Sequence, residues 1–184
     1  GTFQAVSARI PYLQGIGVTT VELMPVYEFE ERIFPEEKML PDYIQWEAED
    51  ADMIVPPEET KVLPKLNFWG YTKGNYFAVK SSYARNAAKA SQEYKTLVRK
   101  LHQHGMECVM EFFFPEGTDQ NLILAALRFW VMEYHVDGFH LLGENLPMTA
   151  IAQDKRLSRT KIFYTDFGDA GEKERSYRNL YVYK

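Results

Sequence analysis

The stretch His135–Asn145, "HVDGFHLLGEN", has the pattern of a buried strand that runs into a loop. Its apolar residues are nearly continuous, which is typical of a strand covered on both faces in a parallel sheet. Functional side chains of such sheets lie where the strands end. This strand ends in Leu141 and Leu142, which cannot do chemistry. The stretch therefore predicts a fold more clearly than it predicts an activity.

Helical and strand patterns alternate on both sides of this stretch. Apolar spacing predicts a first helix at Phe3–Gln14, with a kink or restart at Pro11, and a second at Ser91–His104 capped by Ser91. Further helices are predicted at "NLILAALRFWVMEY" and, more weakly, at Met148–Leu157, and further strands at "GVTTVELMP", "MECVMEFFF" and "TKIFYT". The order predicts an α/β fold with a parallel sheet, either open and doubly wound or part of a (β/α) barrel.

One region interrupts this alternation. Residues 26–90 read as a long irregular insertion, acidic in "YEFEERIFPEEK" and aromatic in "LNFWGYTKGNYFAV". A stretch of this length without regular structure is usually functional when it occurs inside a compact domain. We therefore interpret residues 1–184 as a single domain that carries this insertion.

Composition excludes several classes of partner. The chain has 184 residues and a formal net charge of −5, with no dense cluster of Lys and Arg, so a nucleic-acid partner is not expected. Its apolar runs are too short for a membrane span, which needs roughly 20 residues. Cys108 is the only cysteine, which fits a reducing, cytoplasmic compartment. The start "GTFQAV" has neither Met nor a signal pattern, so we expect a piece of a longer chain.

Four segments, in order, resemble glycoside hydrolase family 13, the α-amylase family. They are "GTFQAVSARIPYLQGIGVTTVELMPVYEF", "NFWGYTKGNYFAVKSSYA", "EYKTLVRKLHQHGMECVMEFFF" and "LILAALRFWVMEYHVDGF". The resemblance is strongest to the debranching branch of isoamylases, pullulanases and glycogen debranching enzymes. It implies a partial (β/α)8 TIM barrel, roughly strands two to five, with strands six to eight beyond Lys184. Half a barrel exposes two sheet edges, so the rest of a parent chain or self-association is the expected partner.

The resemblance also places the catalytic groups, and this sequence replaces them. The family's nucleophilic Asp falls on Leu142, the Arg that supports it falls on His140, and the acid/base Glu falls on Thr165, with Asp166 one residue away. The family's "DVVYNH" becomes "EFFFPE", with Glu111 at its first position. A leucine cannot attack an anomeric carbon, so the family's chemistry is predicted to be lost and the domain is interpreted as a pseudoenzyme.

The aromatic loop keeps the family pattern. Tyr71 matches the family's tyrosine that stacks on a sugar ring, and Trp69, Asn75 and Tyr76 accompany it. The resemblance thus implies a surface for an α-glucan such as glycogen or starch. Packing of the loop against the barrel is the alternative reason for the same residues.

Two other functions stay open. One is an active α-glucan hydrolase with a relocated carboxylate pair, Glu144 and Asp166, with Glu116 as a further candidate. The other is a structural or interaction domain. No cofactor is predicted. No metal site is predicted either, because Glu111 and His140, with the acidic residues at the other strand ends, lack a spacing such as H-E-x-x-H.

Overall fold

The computed structural model describes residues 1–33, 64–165 and 179–182. They belong to two compact units, one of Gly1–Phe29 with Trp69–Lys184 and one of Glu30–Phe68, inside the predicted insertion. The helices are α1 (Phe3–Gly15), α2 (Ala90–Gln103), α3 (Gln120–Tyr134) and α4 (Met148–Gln153). The strands are β1 (Thr20–Leu23), β2 (Tyr27–Phe29), β3 (Arg32–Ile33), β4 (Lys65–Leu66), β5 (Gly74–Val79), β6 (Glu107–Phe114), β7 (Gly138–Gly143), β8 (Lys161–Tyr164) and β9 (Leu180–Val182).

A five-stranded parallel sheet forms the centre of the larger unit. Its order is β1-β6-β7-β8-β9, and every neighbouring pair is parallel. This confirms the predicted α/β class with a parallel sheet. The parallel sheet has one strand more than the four predicted, because Leu180–Val182 pairs with β8. Only three residues pair there, too few for a recognisable strand pattern in the sequence.

The helices follow the predicted apolar faces, with two corrections at their ends and interiors. Helix α1 is capped by Thr2, whose Oγ1 accepts from the Ala5 N–H at 3.2 Å, and it continues through Pro11 without a restart. Helix α2 begins one residue before Ser91, after a 3-10 turn capped by Asn86. Ser91 is therefore not the cap of α2. Its hydroxyl lies 3.0 Å from the Tyr134 hydroxyl and joins α2 to α3.

The core lies between the sheet and its helices. Alternate residues of β6, from Cys108 to Phe114, enter it, and Trp130 of α3 packs edge-on against Phe112 and against Tyr94 of α2. Burial raises the pKa of the Cys108 thiol to about 12. The single cysteine is thus a core residue, as the sequence predicts.

The start of the segment His135–Asn145 joins β6 to β7. The Asp137 carboxylate accepts from the Cys108 N–H at 2.7 Å and lies 2.7 Å from His102 Nε2. The Asp137 N–H donates to the Cys108 carbonyl at 2.8 Å. His135 ends α3 in the left-handed conformation, with φ of 57°. "HVDGF" is therefore a structural motif here.

The predicted insertion is more regular than its sequence suggests. Strands β2 and β5 pair antiparallel, and β3 and β4 form a separate antiparallel pair in the smaller unit. The irregular interpretation of residues 26–90 is therefore wrong for these strands. Aromatic residues on both faces of β5, buried Tyr76 and exposed Phe77, hide its alternation. The acidic run "EAEDAD" lies outside the described residues.

Among the described residues, no helix is both long and apolar enough to cross a bilayer. The cytoplasmic compartment stays a prediction.

Candidate functional site

An exposed pair of aromatic rings lies just before β5. Trp69 and Tyr71 stack with centroids 6.2 Å apart and planes 26° apart, and they are 63% and 40% exposed. Tyr71 also lies 6.1 Å from Phe113 of β6. The two rings thus form an exposed aromatic surface beside Phe113, near the carboxyl end of β6. We call Trp69 and Tyr71 the aromatic pair.

Buried groups fix the backbone beneath the aromatic pair. The Tyr27 hydroxyl lies 3.0 Å from the Gly70 carbonyl oxygen and 3.2 Å from that of Thr72. Gly70 has φ of 72°, and a Cβ there would lie 2.6 Å from the Phe29 ring. Only glycine fits this close approach, which is a physical reason for the "WGY" sequence.

An ion pair stabilises the antiparallel pair of strands β2 and β5. The buried Lys80 ammonium donates to Glu28 Oε1 at 2.7 Å and to the Phe29 carbonyl at 2.8 Å, and Glu28 Oε2 accepts from the Ser81 N–H at 2.7 Å. Burial alone would raise the pKa of Glu28, but these hydrogen bonds outweigh it and hold the pKa below its usual value. The β2–β5 strand pair next to the aromatic pair is thus stabilised by the Lys80–Glu28 ion pair.

Replacing Glu28 with glutamine is expected to lower the free energy of unfolding by about 1–3 kcal/mol at pH 7, because it removes a charged acceptor from the buried Lys80 ammonium. A carboxyl whose folded pKa is depressed stabilises the fold above its unfolded pKa and loses that effect as the pH falls through the folded value. The difference in unfolding free energy between the wild-type protein and Glu28→Gln, measured by urea denaturation, should therefore be smaller at pH 3 than at pH 7.

Glu133→Gln is the matched control. Its carboxylate pairs with Lys95 on the surface, where both side chains are nearly half exposed, so little change in the free energy of unfolding is expected. An equal loss for Glu28→Gln at pH 7 and pH 3 would contradict the role of its charge.

Three neighbouring strands of the sheet bring polar side chains together beside the aromatic pair. His140 Nδ1 of β7 lies 2.6 Å from Glu22 Oε1 of β1, and the Tyr71 hydroxyl donates to Glu111 Oε2 of β6 at 2.7 Å. One ligand atom from each of Glu22, Glu111 and His140 lies within 4.8 Å of the other two. We call Glu22, Glu111 and His140 the carboxylate–histidine cluster.

Sequence reasoning places Glu111 and His140 at the strand ends but misses Glu22. The signal for Glu22 is a carboxylate inside the otherwise apolar run "VELMP". It gains meaning only from the strand order, because β1 pairs with β6 although 83 residues separate their ends.

The positions that resemble catalytic positions carry no catalytic group among the described residues. Leu142 is half-buried near the end of β7 and is paired in register with Phe113. Thr165 is exposed directly after β8. Asp166 lies outside the described residues.

The other predicted carboxylates line a different surface. Glu116 and Glu144 border a hollow of about 450 Å³ between the ends of β6 and β7. Two of the three carboxylates predicted for a relocated catalytic pair, Glu116 and Glu144, thus line one cavity. Neither Trp69 nor Tyr71 lines it.

One predicted sugar contact, Tyr76, is contradicted by its burial. Tyr76 is only 3% exposed, and its hydroxyl donates to the Phe113 carbonyl at 3.1 Å, so its ring belongs to the core and offers no face to a ligand. Burial raises its pKa to about 12. Asn75 is exposed and its Oδ1 accepts from the Phe77 N–H at 3.1 Å, so its role as a sugar contact stays a prediction.

Comparison with known proteins relates this arrangement to a group of enzymes. No protein-family model matches the chain. The chain is 27% identical to isoamylase 3, chloroplastic, of Oryza sativa subsp. japonica, over 88% of this chain and 26% of that protein. It is 26% identical to the glycogen operon protein GlgX homolog of Mycobacterium bovis, over 71% of this chain and 21% of that protein. It thus spans about a quarter of the length of these relatives.

Solved structures share its fold. Pullulanase from Paenibacillus barengoltzii, in complex with maltohexaose and α-cyclodextrin, aligns over 95% of this chain and 33% of that chain, with a TM-score of 0.63 and 18% identity. The α-amylase from Geobacillus thermoleovorans, complexed with acarbose, aligns over 96% of this chain and 43% of that chain, with a TM-score of 0.57 and 13% identity.

The fold is therefore that of an α/β domain with a parallel sheet of the α-amylase type. The sequence relationship is more specific: over part of their length, the chain is related to the debranching enzymes of glycoside hydrolase family 13. The predicted resemblance is confirmed.

Proposed function

We propose that this chain is a catalytically inactive domain, related to debranching enzymes, that binds α-glucan through the aromatic pair. The observation that carries the proposal is the stacked, exposed rings of Trp69 and Tyr71. Flat aromatic faces suit the C–H faces of glucose rings, and rings already held by packing lose little conformational freedom on binding. The solved pullulanase relative binds maltohexaose, which supports the same ligand class here.

The replaced strand-end residues support the inactive part of the proposal. Retaining glycosidases need two carboxyl groups roughly 5–5.5 Å apart. Leu142 and Thr165 stand where the resemblance places those two groups. Loss of one essential nucleophile alone lowers the rate by several orders of magnitude.

The partial barrel is part of the same proposal. The chain aligns with 33% of the pullulanase chain, and β1 and β9 lie at the edges of the described sheet. Exposed edges and an exposed inner face are stabilised by further strands. We therefore propose that the remainder of a parent chain, or a second copy, packs against these edges.

Affinity electrophoresis tests glucan binding. The wild-type protein is expected to be retarded in gels that contain glycogen, amylopectin or pullulan. Trp69→Ala should weaken retardation about tenfold, because it removes the larger stacking face. Unretarded migration of the wild-type protein in all three gels would contradict the proposal.

Tyr12→Ala is the control variant. Tyr12 is 61% exposed on α1, similar to Trp69, but it lies outside the aromatic pair. Its removal should leave retardation unchanged. An equal effect of both substitutions would show that binding does not depend on the aromatic pair.

A second candidate function is hydrolysis by relocated carboxylates. The hollow that Glu116 and Glu144 share favours it. Reducing-sugar release from branched glucans tests it, with Glu144→Gln and Asp166→Asn as variants. Our proposal expects no release by the wild-type protein, whereas release abolished by either variant would establish the alternative.

A further inference from the structure

We infer that the carboxylate–histidine cluster, Glu22, Glu111 and His140, is a binding site for a divalent transition-metal ion of the zinc class. The three side chains come from three adjacent parallel strands, and one ligand atom from each lies within 4.8 Å of the others. This is a convergence of two carboxylates with an imidazole, formed by residues far apart in the sequence.

The strand register explains why these side chains meet. Glu111 and His140 are paired in the β6–β7 ladder, so their side chains lie on the same face of the sheet. Glu22 pairs with Val109, two residues before Glu111, and it extends diagonally to reach His140 Nδ1 at 2.6 Å. Backbone pairing therefore fixes the three strand positions that carry the donors.

The charge of the cluster favours a cation. Among the described residues, neither Glu22 nor Glu111 pairs with a lysine or arginine; their hydrogen-bond partners are His140 and Tyr71. Lys161, on the same face of the sheet, binds Glu107 instead, at 2.7 Å. Two carboxylates this close repel each other. A divalent ion would neutralise both charges.

The donor set selects the kind of ion. Imidazole nitrogen with carboxylate oxygen suits zinc and similar ions, while magnesium and calcium prefer oxygen alone. Ligand atoms about 2.1 Å from a tetrahedral zinc lie about 3.4 Å apart. The ligand atoms of the cluster lie within 4.8 Å of one another, a span that side-chain rotation can shorten toward this value.

The surroundings resemble the outer shell of a metal site. The Tyr71 hydroxyl donates to Glu111 at 2.7 Å and orients that carboxylate. Hydrogen bonds of this kind to ligating carboxylates are usual around bound metals. The His140 side chain is 8% exposed and the Glu22 side chain 42%, so an ion can approach from the Glu22 side and be held against a buried imidazole.

Calorimetric titration tests the inference on protein freed of metal with a chelator, in buffer without glucan. Each chain is expected to bind one zinc ion, and to bind magnesium much more weakly. His140→Gln and Glu111→Gln should each weaken zinc binding at least about tenfold. His102→Gln is the control, because His102 pairs with Asp137 and is not part of the carboxylate–histidine cluster. This variant should bind zinc as the wild-type protein does.

Circular dichroism should show that the variants keep the native fold. Glu111→Gln keeps the size of the side chain and serves if His140→Gln fails to fold. Bound cobalt(II) gives a second measurement, since a tetrahedral site absorbs visible light and His140→Gln should abolish that absorption. The inference is overturned if the wild-type protein binds no zinc, or if zinc affinity is the same in Glu111→Gln as in the wild-type protein. Because no glucan is present, this result is independent of the proposed glucan binding.

Discussion

Gly143→Ala is expected to lower the free energy of unfolding by about 3 kcal/mol or more. Gly143 ends β7 with φ of 134°, a conformation that side chains with a Cβ rarely adopt. A Cβ there would lie 2.2 Å from the Phe114 carbonyl oxygen of β6. That oxygen belongs to the backbone of a central strand, so the clash can be relieved only by separating β6 from β7.

Urea denaturation at pH 7 measures the effect, with two glycines as controls. Gly117 has φ of 78° and open space around its missing Cβ, so Gly117→Ala should cost about 1 kcal/mol from strain alone. Gly15 in α1 also has open space, and Gly15→Ala should be neutral or stabilising by up to about 1 kcal/mol. If Gly143→Ala costs no more than Gly117→Ala, the close approach of the two strands is not what requires glycine.

Gly143 shows which parts of the fold can be predicted from the sequence and which cannot. Patterns local to the chain, such as apolar spacing in α2 and the continuous run of β6, predict elements that the structure confirms. The requirement for glycine at 143 comes instead from a backbone 29 residues earlier in the chain. No local pattern around "LLGEN" carries that information.

The candidate site divides in the same way. Tyr71 and Trp69 are predicted from a motif, because the loop that carries them is continuous in sequence. Tyr76 lies in the same motif but on the buried face of β5, so the motif alone misplaces it. Glu22 enters the site only through the β1–β6 pairing. Residues joined by strand order, rather than by neighbourhood in sequence, are the ones that sequence reasoning misses.

Trp130→Ala is expected to cost about 3–5 kcal/mol of unfolding free energy, the range for removing a buried tryptophan. Trp130 is 0% exposed and contacts the rings of Tyr94, Phe112 and Tyr134. Its indole N–H donates to the Tyr76 carbonyl at 2.6 Å. The substitution therefore leaves a cavity between α2, α3 and the sheet and deprives a buried carbonyl of its donor.

The matched control is Trp69→Ala, because the same substitution at a side chain 63% exposed removes little buried area. It should change the unfolding free energy by no more than about 0.5 kcal/mol while weakening retardation in glucan gels. Trp130→Phe covers the case in which Trp130→Ala does not fold. It should cost less unfolding free energy, because the ring contacts persist.

Urea denaturation and affinity electrophoresis on the same samples then distinguish the roles of the two tryptophans. A Trp130→Phe protein that is folded and retains glucan retardation, beside a folded Trp69→Ala protein that loses it, places recognition on the exposed ring and stability on the buried one. If Trp69→Ala instead destabilised the fold as much as Trp130→Phe, the aromatic pair would be a packing element, and its resemblance to the family motif would need no ligand to explain it.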